Sequence, residues 1–175
     1  MNTILFNEVQ RFRVRWAWIA VIALNLLIIY AIVQQVIFGK PFGSKPASNL
    51  TLLLIELGPL ALIIFLSSIK LKTFIDDNGI HYRFFPFQLK TTYIGWDELR
   101  DAYMREYNSF YEYGGWGIRM GSGKSGKAIN TSESAAKGLQ LKFKDNELLL
   151  IGTKRPDEIS AIIDSMIAEG KIARL

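Results

Sequence analysis

The stretch LKTFIDDNGIHYRFF, residues 71–85, reads as strand, turn, strand. Apolar and polar side chains alternate on both sides of Asp76-Asp77-Asn78-Gly79, and an Asn-Gly break between two alternating runs is a strong hairpin signal. Downstream, QLKTTYIGW (88–96) makes a third strand, with Pro86 marking the bend before it. WDELRDAYMREY (96–107) alternates imperfectly and has fair helix propensity, but the Gly-Trp turn before it and the Tyr-rich segment after it favour a strand. GGWGIRM (114–120) adds another, and GLQLKFKDNELLLIGT (138–153) forms a hairpin turning at Asp145-Asn146. The period then changes. In RPDEISAIIDSMIAEG (155–170), Pro156 suits a first helical turn and Asp157 and Glu158 suit the positive end of a helix dipole. Ile159, Ile162, Ile163 and Met166 form one apolar stripe, and Gly170 ends it. About seven short antiparallel strands followed by an amphipathic helix predict a mainly-β barrel over 70–175, its open end capped by the helix.

Upstream the chain is apolar. WAWIAVIALNLLIIYAIV (16–33) carries no charge, and LTLLLIELGPLALIIFLSSI (50–69) carries only Glu56. Each is about long enough to cross a hydrocarbon core of roughly 30 Å. The expected organisation is therefore residues 1–69 as an N-terminal segment with two transmembrane helices, about 16–37 and 50–69, followed by a cytoplasmic domain over 70–175. Arg11, Arg13 and Arg15 precede the first span and Lys70 and Lys72 follow the second, which favours both termini in the cytoplasm. A carboxyl group in hydrocarbon needs a partner. Counted from the outer ends of the spans, Glu56 lies level with Tyr30, with Gln34 one turn further out, so the expected role is a hydrogen bond that pins the hairpin. Asn25 would serve as further interhelical glue. The alternative is a small oligomeric transporter or sensor working through Glu56.

Composition narrows the chemistry. Half of the 175 residues are apolar, cysteine is absent and His81 is the one histidine, so neither a disulfide framework nor a His/Cys metal cluster is available. His81 reads as an ordinary strand residue. The net charge is +5, but from Lys70 onward 16 Lys/Arg face 14 Asp/Glu, so no nucleic-acid partner is expected.

GSGKSGKAIN (121–130) imitates a phosphate-binding loop. Gly121, Gly126 and Lys127 have the spacing, yet Ala128 stands where a metal-binding hydroxyl belongs, and Ile118 occupies the first glycine of the other frame. Nucleotide binding by an enzyme is thus the least favoured reading, and no catalytic residue, cofactor, metal or specific small molecule is expected. Arg119, Lys124 and Lys127 are candidates for contact with anionic lipid. YNSFYEYGGWG (107–117) reads first as barrel-wall packing and second as a partner-binding edge through Tyr111, Tyr113 and Trp116.

YIGWDEL (93–99), YGGWGIR (113–119) and LLLIGTKRPDEI (148–159), in this order behind an apolar hairpin, resemble the bacterial pleckstrin-homology-like proteins of unknown function. The resemblance covers most of 70–170. It implies two near-orthogonal antiparallel sheets closed by the helix, and a non-catalytic module at the inner membrane for protein or self-association, homo-oligomers included. The acidic turn Asp76-Asp77 departs from the basic cluster that inositol-lipid recognition requires.

Overall fold

The computed structural model describes residues 3–121, 125–131 and 136–172. The chain divides into two units, Val14–Ser68 and a second made of Met1–Arg13 with Ile69–Leu175.

The first unit is helical. Helix α1 (Arg15–Ile32) runs into a π-turn at Val33–Ile37, and α2 (Asn49–Ser68) contains Pro59. Ser48 caps α2, its hydroxyl accepting the N–H of Thr51 at 3.2 Å. Both segments, 23 and 20 residues long, are apolar and long enough to cross a membrane. Only 17% of each apolar window is buried.

Among the described residues, the second unit holds nine strands. β1 (Ile4–Arg11), β2 (Lys70–Asp76), β3 (Gly79–Phe85) and β4 (Thr92–Gly95) form one antiparallel sheet in that order. A 3-10 turn at Trp96–Glu98 carries the chain into the second sheet. There β5 (Leu99–Tyr107), β6 (Gly117–Met120), β7 (Lys127–Asn130), β8 (Ala136–Phe143) and β9 (Leu148–Thr153) stand in the order β5-β8-β9-β7-β6. Helix α3 (Ser109–Tyr113) interrupts the path from β5 to β6, and α4 (Pro156–Ala168) packs on β5, β8 and β1 through Ile159, Ile163 and Met166.

This architecture overturns the expected barrel. Closure requires every strand to pair on both sides, whereas β1 and β4 end the first sheet and β5 and β6 end the second. The sheets are not all antiparallel either, because β7 runs parallel to β9. With no closed barrel, the pleckstrin-homology-like module and the protein- or self-association role drawn from it do not stand. The bacterial inner-membrane assignment came with the same resemblance, and two apolar helices do not by themselves identify a membrane.

Strand β1, which precedes the helices, was not expected. Its inward side chains are Phe6, Glu8 and Gln10, so two of its three core positions are polar. They are satisfied within the interior. Glu8 accepts from Thr153 Oγ1 at 2.8 Å, Gln10 Nε2 at 3.1 Å and the backbone N–H of Lys154 at 3.0 Å. Gln10 also donates to the carbonyl of Gly152 at 2.6 Å and accepts from Thr131 at 3.2 Å. This hub ties β1 of one sheet to β9 of the other. Deeper in the second sheet, Gly138 and Gly152 face each other across β8 and β9, and the missing Cβ atoms admit the ring of Tyr107. A Cβ on Gly152 would stand 2.6 Å from the Tyr107 hydroxyl and 3.1 Å from Asn130 Cβ.

Candidate functional site

Within the helical unit, Asn25 Nδ2 donates to Glu56 Oε1 at 2.7 Å, while Tyr30 and Gln34 bond each other at 2.9 Å on the same helix. Glu56 therefore meets Asn25 rather than Tyr30 or Gln34. The first apolar segment is three residues longer and ends in a π-turn, so depth counted from the far ends is offset. Counted from residues 15 and 68, Asn25 and Glu56 agree to within about half a turn. Glu56 is buried, and its Oε2 has no hydrogen-bond partner.

On either side of the Gly/Lys loop β6 and β7 pair antiparallel, and the N–H of Gly121 donates to the carbonyl of Gly126 at 2.6 Å. Lys127 begins a strand, so no helix N-terminus lies there to receive a phosphate. Arg119 is exposed on β6, Lys127 is half-buried on β7, and Lys124 lies outside the described residues.

The aromatic run is no barrel wall. Asn108 caps α3 by accepting the N–H groups of Phe110 and Tyr111 at 3.0 and 3.1 Å, and Gly114, at φ +68°, ends it in the left-handed region. This turn separates the three aromatic candidates. Tyr111 points to solvent. Tyr113 is buried, its hydroxyl accepting from Arg105 at 2.8 Å and donating to the carbonyl of Ser125 at 3.1 Å. Burial pushes the Tyr113 hydroxyl above its ordinary pKa, against the opposing pull of Arg105. Trp116 packs edge-on against Phe12 at 4.4 Å and lines a groove of about 250 Å³ with Phe84, Phe87, Gly117, Ile118 and Arg119.

A different cluster forms at the other end of β2. Asp76, Asn78, His81, Tyr93 and Asp97 line an open cavity of about 540 Å³. Asp76 Oδ1 accepts the N–H groups of Asn78 and Gly79 at 2.9 and 3.0 Å, and Oδ2 meets His81 Nε2 at 3.1 Å. The carboxyl is covered but shallow. Burial raises its pKa, and the two backbone donors together with His81 outweigh that, leaving it below the ordinary carboxylate value. The His81 ring is stacked on Phe74 at 4.1 Å and tilted against Tyr93 at 4.8 Å. The Tyr93 hydroxyl donates to the Asn78 carbonyl at 3.1 Å, while half of its surface faces solvent.

Sequence reasoning passed over this cluster because a single histidine in an alternating strand looks like any other polar position. The available signal was an aspartate and a histidine flanking one tight turn, since the register Ile75↔Ile80 sets Asp76 beside the turn and His81 one step past it. Among the described residues no group of three His, Cys, Asp or Glu side chains is placed to hold a metal ion. No family model, curated protein or solved structure matches this chain.

Proposed function

We propose that this chain is a two-span membrane protein that binds a small cationic ligand, an amine or guanidinium compound, in the pocket of Asp76, His81, Tyr93 and Asp97. Length, composition and exposure of the two helices support the spans. The β1–β2 ladder supports their parity. The chain leaves the sheet at Arg11 and returns beside it at Lys70, which suits an even number of crossings with both ends on one side. Arg11, Arg13, Arg15, Lys70 and Lys72 cluster around that point, which favours the cytoplasm.

The observation that carries the ligand reading is one open cavity combining two carboxyl groups with a half-exposed tyrosine face. A cation gains there from charge and from the ring quadrupole together, the latter worth about 0.5–1 kcal/mol at an exposed site. Its volume falls in the ordinary range of small-molecule sites. Asp76, held below its usual range, remains ionised at neutral pH and fixes His81 in place. The role is binding rather than catalysis: His81 has an orienting carboxylate, but its other neighbours are the rings of Phe74 and Tyr93.

Titration calorimetry of the full-length protein in nanodiscs, with spermidine and agmatine against acetate and glycerol as controls, tests this reading. Saturable binding of the cations, weakened about fivefold by Asp97→Asn, is expected, because a charge–charge contact at an exposed carboxylate contributes on the order of 1 kcal/mol. Heat from no cation, or binding indifferent to Asp97→Asn, refutes it.

A further inference from the structure

We infer that the apolar rim of the Trp116 groove sits in the headgroup–acyl boundary of the bilayer, an inference that rests on the two-span reading. The exposed side chains there are large and apolar. Phe87, Leu89 and Met120 are 59%, 74% and 75% exposed. Phe87 lines the groove with Ile118, Met120 lies two residues beyond Ile118 on the same face of β6, and Leu89 follows Phe87 in the loop before β4. Side chains of this size standing outward together mark an interaction surface.

Chain length identifies the occupant. Trp116 touches the ring of Phe12 at 4.4 Å, and the N–H of Phe12 donates to the carbonyl of Ile69 at 3.2 Å. Phe12 is three residues from the start of α1, and Ile69 directly follows the last residue of α2. Three extended residues reach at most about 11 Å. The groove is therefore leashed within a few residues of both points where the chain enters hydrocarbon. Arg119, at the groove, turns back to donate to the Trp116 carbonyl at 3.0 Å and sets a cationic group beside the apolar rim. Aromatic, aliphatic and basic groups side by side are what the boundary accommodates, with the apolar tips dipping about 5–10 Å below the headgroups.

The chain has no cysteine, so a single introduced thiol takes a spin label uniquely. The full-length protein would be labelled at Phe87→Cys, Leu89→Cys and Met120→Cys in nanodiscs. Ile22→Cys and Ile64→Cys report the spans, and Ile4→Cys reports exposed chain at the far end of β1. Power saturation with oxygen and with a nickel chelate reads the medium around each label. Labels at 87, 89 and 120 are expected to share the high oxygen-to-nickel ratio of 22 and 64, with the label at 4 giving the low aqueous ratio. An aqueous ratio at 87, 89 and 120 beside lipid ratios at 22 and 64 overturns the inference and leaves the spans standing. Aqueous ratios at 22 and 64 overturn both. Protection from both reagents at 87, 89 and 120 means that protein covers the rim, and this also overturns the inference.

Discussion

Replacing Glu8 with alanine tests whether β1 is anchored by its buried polar hub. In the folded domain the Glu8 carboxyl accepts three hydrogen bonds, from Thr153, Gln10 and the backbone of Lys154. After truncation Gln10 Nε2 keeps its bond to the Gly152 carbonyl, but the Thr153 hydroxyl and the Lys154 N–H lose their acceptor. Leaving the buried Thr153 donor without a partner costs about 1–3 kcal/mol, and the Lys154 N–H, on an exposed residue, adds less, so the predicted deficit is roughly 2–3 kcal/mol. At 1.4 kcal/mol per tenfold change, protection of the affected amides should fall about a hundredfold. Hydrogen exchange with mass spectrometry on the nanodisc-embedded protein, following peptides that cover 4–11 and 148–154, reads this directly. Glu147→Ala, on the exposed β8–β9 turn, is the control and should stay within about 0.5 kcal/mol of the parent. A change below about threefold in both peptides, near 0.6 kcal/mol, would refute the claim that these polar side chains hold the strand.

Gly152→Ala should lower the melting temperature through a loss of about 1–3 kcal/mol, because the new methyl group meets the Tyr107 hydroxyl inside normal contact distance. Acid should weaken the turn that Asp76 organises. Its folded pKa lies below the ordinary value of 3.8, so its contribution is complete above that value and disappears as pH falls through the lower folded one. Thermal melts between pH 2 and pH 5 should show that component, scaled as about one carboxylate titration, and Asp76→Asn should remove it. In the helical unit, Glu56→Ala deprives Asn25 of its acceptor and should cost about 0.6–2 kcal/mol of hairpin stability, whereas Glu56→Gln, retaining an acceptor oxygen, should cost less. Steric-trapping measurements in bicelles distinguish the two, and equal losses would argue against the bond.

Local features of the fold were legible where chemistry and position coincide. Asp-Asp-Asn-Gly announced the β2–β3 hairpin, Asp145-Asn146 the β8–β9 turn with Asn146 at φ +70°, and the isoleucine stripe the face of α4. Non-local pairing was not legible. Nothing in the four residues Lys127–Asn130 reveals that they run parallel to β9, and periodicity contains no information on whether a sheet closes. β1 was hidden because Glu8 and Gln10 occupy core positions, so its alternation reads as polar noise. α3 was hidden because five residues rich in tyrosine and phenylalanine carry β propensity, and only the Asn108 cap and Gly114 marked a helical turn. The His81 cluster depends on register across a turn, which composition does not encode.

The β1–β2 ladder also imposes a schedule on biosynthesis. Residues 4–11 leave the ribosome before their partner strand, which follows only after both apolar helices, about 59 residues later; at 5–20 residues per second that is a wait of roughly 3–12 seconds. During that interval the strand has two open edges, a condition that invites pairing with foreign chains. Glutamate and glutamine on its inward face lower the apolar character that such pairing favours.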